Sequence, residues 1–221
     1  MDYTFKSSTK RLTLGLIGLG VLAIVYAVLT HVPGQRIWAN MLVNSYFFVG
    51  IGLMGTLWMA IQYASEAGWS SGFKRVPEAV SQYLLVGGPI LLLVLFAGSH
   101  SLELHHLYHW MDPELMNPES AHYDSIIAGK SAYLNEPFFY LRSVLYIVIW
   151  VLFTVYFRKA SLKEDLEGGV AIHKKNYGFA AAFLVFYGVT SSTSSWDWMM
   201  SIDTHWFSTL FGWYNFATMF V

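Results

Sequence analysis

The chain has 221 residues, 55% of them hydrophobic and only 12% charged, with a formal net charge of −1 and a mean hydropathy of +0.44. A soluble domain carries about 25% charged residues, so the composition excludes an ordinary soluble domain, and near-neutrality removes the electrostatic reason to expect nucleic acid. No cysteine is present, which excludes disulfides, cysteine-ligated iron–sulfur clusters and covalently attached c-type haem in this chain.

A helix needs about 20 mostly apolar residues to cross a bilayer core, and the chain offers such runs in order. Residues 1–11 form a basic N-terminal segment with Lys6, Lys10 and Arg11, and an uncharged run follows at 12–30. That run is too long for the apolar part of an ordinary signal peptide, and "HVPGQ" after it is a poor cleavage site, so it reads as a retained first transmembrane helix. The second helix is expected at 41–64, where Gly50, Gly52 and Gly55 would let neighbouring helices approach closely. The third covers 83–100, and Pro89 after two glycines predicts a kink. A long outer loop occupies 101–137, the fourth helix 138–157, interrupted only by Arg142, and an inner loop 158–176. The fifth helix covers 177–198. A sixth apolar run begins near 207 and is unfinished at Val221, which predicts the N-terminal portion of a longer protein. The expected fold is therefore an all-α integral membrane protein: a four-helix bundle from the second to fifth helices, with a peripheral first helix. Trp and Tyr, abundant here, are expected at the bilayer interfaces.

Basic residues set the orientation. With the N-terminus on the cytoplasmic side, the inner segments hold Lys6, Lys10, Arg11, Lys74, Arg75, Arg158, Lys159, Lys163, Lys174 and Lys175, against Arg36 and Lys130 outside. The outer, periplasmic loop is acidic, with Glu103, Asp112, Glu114, Glu119, Asp124 and Glu136. A loop of that length is often functional or packed on a partner.

At about 1.5 Å per residue, His100, Arg142 and Asp197 reach the same outer level from the third, fourth and fifth helices, with Asp203 and His205 just beyond. His100, Glu103, His106 and His109 recur every three residues, and His105 and His109 form an i, i+4 pair. Such a pair can bind a transition metal given a third ligand; the plain alternative, which also covers His122, is an interfacial helix end meeting water. Arg142 either snorkels to the interface or pairs with Glu103 or Asp197. The hydroxyls of "TSSTSS" before Asp197 either relay protons or bond the backbone. The inner halves of the helices contain Gln62, Tyr63, Ser81 and Tyr83, with no buried carboxylate expected among them, so no complete transmembrane proton path is legible.

Several redox readings fail. A b-type cytochrome needs histidines at matching depth on facing helices, and the first, second and fourth helices have none. A haem–copper oxidase places adjacent histidines deep in a span, whereas His105 and His106 lie past a helix end. Membrane desaturases use several histidine boxes on the cytosolic side; "HHLYH" is a single box on the outer side. No metal is assigned.

The segments "WDWMMSIDTHWFSTLFGWYNF", "HHLYHW" and "YLNEPFFYLRSVLY" resemble an integral membrane subunit of bacterial alternative complex III, a quinol-oxidising respiratory complex. That subunit belongs to the polysulfide-reductase membrane-anchor (NrfD-like) superfamily, and the resemblance extends over essentially the whole chain. It implies about ten helices in two four-helix bundles with two more, of which this chain would supply the first bundle. It implies partners carrying haem c and iron–sulfur clusters on the outer face, a sister membrane subunit that holds the usual quinol site, and docking to a terminal oxidase. It implies no redox centre in the chain itself, residence in the bacterial inner membrane, and a structural role that could include proton conduction.

Quinol oxidation releases two protons, so an outer site needs a His or carboxylate base and a route to water. His100, Glu103, His106, Arg142, Asp197, Asp203 and His205 are the candidates for proton handling or a quinol site. Quinone or quinol is the ligand such a site would take, and lipids are the other expected partners. A transporter or channel is the remaining alternative; it would need a broken helix at the midplane, for which only "VGGP" qualifies.

Overall fold

The computed structural model describes residues 6–100, 107–168 and 170–220. Among these the chain is all helix and turn, with eight α-helices. They are α1 (Ser7–Leu29), α2 (Gly34–Ala64), α3 (Arg75–Ser81), α4 (Leu84–His100), α5 (Ser125–Gly129), α6 (Glu136–Glu167), α7 (Ala171–Trp198) and α8 (Phe211–Phe220). Four stretches are long and apolar enough to cross a membrane: Ser7–Leu29, Gly34–Ala64, Arg75–His100 and Glu136–Glu167.

α2, α4, α6 and α7 form an up-and-down bundle. Tyr46 near the start of α2 meets Trp198 at the end of α7, and Tyr156 late in α6 hydrogen-bonds Asn176 early in α7. His100 at the end of α4 reaches Tyr140 at the start of α6. The bundle therefore has two ends. The Asp197 end holds the finishes of α4 and α7 and the start of α6; the Glu78 end holds the finishes of α2 and α6 and the start of α7. α1 stands outside the bundle with no buried residue; its exposed Leu, Ile and Val side chains need an apolar surrounding, which a bilayer supplies.

The helices outrun their sequence-read bounds. α6 continues ten residues past Phe157 to Glu167, and α7 begins at Ala171, so most of the segment read as an inner loop at 158–176 is helix. The reason is local. "RKASLKEDLE" has strong helix formers, and the turn is compressed onto Gly168, whose φ of +66° lies in the left-handed region that favours glycine. At the other end of α6, Asn135 accepts a hydrogen bond from the Phe138 backbone N–H at 3.1 Å, a normal N-cap. α4 runs without a break through Gly87, Gly88 and Pro89, so the candidate for a discontinuous midplane helix is continuous.

α7, read from the sequence as the fifth crossing, is not among the four most apolar stretches. Its hydroxyl-rich half is turned inward: Thr190, Ser191, Ser194 and Ser195 are buried. Three of the nine tryptophans, Trp110, Trp150 and Trp198, are fully buried within the protein. Trp198 and Trp150 pack edge to face with centroids 5.8 Å apart, a favoured aromatic geometry. Each finds an acceptor for its indole N–H: Ser143 Oγ at 2.8 Å for Trp198 and Thr190 Oγ1 at 3.0 Å for Trp150. A core that satisfies the N–H can hold the ring.

Residues 107–135, before α6, fold as a cap on the Asp197 end. Leu107, Tyr108, Trp110, Leu115, Ile127 and Leu134 are buried. The Tyr108 hydroxyl donates to the Trp198 carbonyl at 2.8 Å, and the Lys130 ammonium donates to the Thr204 carbonyl.

Candidate functional site

The site at the Asp197 end is organised by one ion pair. Arg142, two turns into α6, donates from Nε to Asp197 Oδ2 and from Nη2 to Oδ1, both at 2.9 Å. The third guanidinium edge donates from Nη1 to the Tyr133 carbonyl at 3.1 Å. Tyr146 adds a hydroxyl 3.4 Å from Oδ2. The Arg142 plane lies over the rings of Tyr133 and Phe138, 4.0 and 4.1 Å from their centroids. Asp197 is fully buried and Arg142 is 8% exposed. Two parallel charge-assisted bonds fix the carboxylate as well as compensate it. Arg142 thus pairs with Asp197 and is buried with it rather than reaching outward; Glu103 lies outside the described residues.

The neighbouring groups are fastened to this pair. Ser201 donates to the Asp197 carbonyl at 2.5 Å. The hydroxyls of the serine–threonine run turn back on their own helix, Thr190 onto Phe186 O at 2.9 Å, Ser194 onto Ser191 O at 3.2 Å and Ser195 onto Ser192 O at 2.7 Å. These are local backbone bonds. Tyr108 and Tyr133, in the cap, have phenol pKa values raised by burial.

The remaining sequence candidates fall into separate places. His100 is exposed at the end of α4, with Nε2 2.8 Å from Glu136 Oε1 and Nδ1 3.0 Å from the Phe96 carbonyl. Its carboxylate partner is therefore Glu136, not Asp197. His205 reaches Asp124 Oδ2 at 2.7 Å, while Asp203 is exposed and accepts from the His205 backbone N–H at 3.2 Å. Glu103, His105 and His106 lie outside the described residues. His109 opens a short 3-10 turn, His109–Met111, that is not a continuation of α4, and His122 is exposed. Among the described residues no group of three or more His, Cys, Asp or Glu side chains converges as a metal site would require.

A cavity of about 280 Å³ adjoins the pair, lined by Lys130, Tyr133, Trp196, Met200 and Trp206 among others. Tyr133 belongs to both: one face covers Arg142 and its side chain lines the cavity. Trp196 Nε1 is buried and has no acceptor among the described residues.

The opposite end corrects the sequence reading. Glu78 is a buried carboxylate, 1% exposed. It lies on α3, a short helix folded between α2 and α4, and accepts from Arg75, Arg158 and Ser161. Sequence reasoning missed it because Glu78 stands between apolar runs in what reads as a polar connection. A "KRVPEAVS" stretch with Pro at the start of a helical turn was the available signal. α3 can lie against α2 only because Gly55 has no side chain: a Cβ there would stand 2.5 Å from the Pro77 carbonyl oxygen.

This fold defines a multi-pass membrane protein with a helical bundle clamped at both ends by buried ionic groups. Compared with known protein families, the chain matches no family model, and no curated protein matches it.

Proposed function

We propose that the chain is a membrane subunit of a respiratory quinol-oxidising complex of the alternative complex III type, and that its work in that complex is structural. The reading rests on the resemblance of the "WDWMMSIDTHW" and "YLNEPFFYLRSVLY" segments, and the observation that carries the structural role is the closed Arg142–Asp197 pair. Asp197 has both oxygens engaged by Arg142 and is shut from solvent. A carboxylate with both oxygens bound and no solvent contact serves to hold two helices together. It locks α6 to α7 beneath a cap whose Glu114 and Glu119 side chains are exposed, a surface suited to basic patches on peripheral subunits.

In this proposal the complex resides in the bacterial inner membrane. The Glu78 end, which gathers Lys74, Arg75, Arg158, Lys159, Lys163, Lys174 and Lys175, faces the cytoplasm with the N-terminus. Partners are a multihaem cytochrome c, an iron–sulfur protein and a sister membrane subunit, with a terminal oxidase as electron acceptor. The chain carries no redox centre of its own. The test is purification of the tagged full-length protein from its native membranes in mild detergent. Co-elution of haem c and quinol-oxidising activity supports the proposal; elution of the chain alone defeats it.

A second reading is that the chain itself binds quinol at the Asp197 end. It is favoured by the 280 Å³ cavity beside Tyr133. A photoreactive quinone labelling Tyr133 or Trp196 in the purified complex would place quinone there. Labelling confined to another subunit would leave the structural reading alone.

A further inference from the structure

The basic residues of the Glu78 end divide into two groups. Lys74 pairs with Asp165 at 2.7 Å and Glu164 at 3.6 Å, Arg75 and Arg158 pair with Glu78, and Lys163 pairs with Glu167 at 3.5 Å. Lys159, Lys174 and Lys175 are exposed and have no carboxylate partner among the described residues. Two of these three flank one seam between α6 and α7.

Tyr156 of α6 and Phe179 of α7 stack across that seam, with ring centroids 4.2 Å apart, and Tyr156 is held there by its hydrogen bond to Asn176 at 3.2 Å. Lys159 stands one turn beyond Tyr156, and Lys175 one turn before Phe179, with its Nζ 5.9 Å from the Phe179 centroid. Because α6 and α7 are antiparallel, both lysines lie past the stacked rings toward the same end. Lys174, one position earlier, is turned about 100° away around α7. In the other direction the seam is apolar. Leu152, Tyr156 and Lys159 on α6, and Lys175, Phe179 and Ala182 on α7, are spaced i, i+4, i+7, so each set shares a helix face. Leu152 is 61% and Phe179 40% exposed, and Ala182 is exposed. Lys159 comes two residues after the apolar run ending at Phe157, and Lys175 two before the run beginning at Tyr177. In a bilayer their ammonium groups stand at headgroup level and the seam faces acyl chains.

We propose that this α6–α7 seam binds one anionic diacyl phospholipid. Its phosphate lies between Lys159 and Lys175, and an acyl chain runs along Tyr156, Phe179 and Ala182. Charge complementarity selects the headgroup: two lysines without carboxylate partners meet a net anion, whereas a zwitterionic headgroup brings an ammonium of its own against them. Glu167, two turns past Lys159, is engaged by Lys163. The site is independent of the functional reading above, since it uses neither the Arg142–Asp197 pair nor the cap.

The experiment is native mass spectrometry of the delipidated full-length chain, with dioleoyl phosphatidylglycerol, phosphatidylethanolamine and phosphatidylcholine in equimolar competition. One phosphatidylglycerol per chain is expected. Each lysine should favour it about fivefold, the ratio that about 1 kcal/mol gives, so the preference over phosphatidylcholine should be about 25-fold. Lys159→Gln and Lys175→Gln should each lower that preference about fivefold, and the double variant should bring it near unity. Lys174→Gln removes the same charge from another face and should leave it unchanged. Ala182→Trp alters an exposed position; it should obstruct the seam and lower retention of all three lipids severalfold. Glycerol 3-phosphate, which has the phosphate without the chains, should not displace the bound lipid. An equal loss in Lys174→Gln overturns the proposal, because the attraction is then general surface charge. So does equal retention of the three lipids, displacement by glycerol 3-phosphate, or retention of no lipid, which leaves the seam to a protein partner.

Discussion

Arg142 and Asp197, 55 positions apart in sequence, meet through two 2.9 Å hydrogen bonds inside the bundle. This pair ties the first turns of α6 to the last turn of α7, and the cap contributes the Tyr133 carbonyl as a third acceptor. Breaking a buried pair by removing one member costs more than removing both, because the survivor keeps its desolvation penalty without its partner. Arg142→Met is therefore expected to destabilise the protein by about 3–5 kcal/mol. The double variant Arg142→Met/Asp197→Leu should recover most of that loss. Unfolding of the detergent-solubilised chain in urea measures these and the single Asp197→Leu variant, and a double-variant loss equal to the sum of the two single losses would show that the two charges are not coupled.

At the opposite end Glu78 is nearly inaccessible, whereas its partners Arg75 and Arg158 have side chains 38% and 33% exposed. Losing the carboxylate and losing an arginine are thus unequal. Glu78→Gln should cost about 3 kcal/mol, because the buried position retains a polar group with too few matching bonds. Arg158→Met should cost less than half as much, since Arg75 and Ser161 still satisfy Glu78. The same urea experiment ranks them, and the reverse order would contradict the structure.

Gly55 and Gly18 lie on adjacent helices and differ in one respect. A Cβ on Gly55 would stand 2.5 Å from the Pro77 carbonyl oxygen and 2.9 Å from the Ser81 amide nitrogen, whereas a Cβ on Gly18 meets nothing within 4 Å. Gly55→Ala should force α3 off α2 and cost about 1–3 kcal/mol. Gly18→Ala should be neutral or slightly stabilising, because alanine is the better helix former. Thermal unfolding of the two variants in one detergent decides it.

In the cap, Asp124 accepts from the Ile126 and Ile127 backbone N–H groups at the start of α5 and meets His205. Its carboxyl pKa is lowered, first by the Ile127 N–H and then by His205. A carboxylate whose folded pKa lies below its unfolded value contributes stability that is fully present above the unfolded value, about 4. That contribution is lost as pH falls through the lower folded value. Pepsin cleavage within 124–134 should therefore be slower in the unsubstituted chain than in Asp124→Ala above pH ~4, and the difference should vanish on further acidification. A difference that persists at the lowest pH would show that Asp124 contributes by packing alone.

The sequence was most legible where chemistry is dictated along the chain. The apolar runs around Leu12, Met41, Tyr83 and Phe138 each correspond to a helix. The depth arithmetic that put Arg142 and Asp197 at one level is matched by their direct contact. It was least legible where a residue's role depends on what folds over it. Nothing near His100 in sequence distinguishes Glu136, its actual partner, from other acids in the same loop. The Thr190–Ser195 hydroxyls had two equal readings until their backbone acceptors were fixed.

The sequence by itself determined the all-α membrane character, because uncharged runs of about 20 apolar residues match the bilayer core, where a helix satisfies every backbone group internally. It also determined which ionisable groups stand near helix ends, because a helix advances by a fixed rise per residue. Only the tertiary structure decided which charges are buried and with whom. Glu78 became a buried carboxylate when α3 folded against Gly55. Asp197 became half of a closed structural pair when Arg142, itself held by the Tyr133 carbonyl, met both of its oxygens. Pairing across 55 or 80 positions is set by helix packing, and helix packing is decided by side-chain volume and small-residue contacts that no local pattern records.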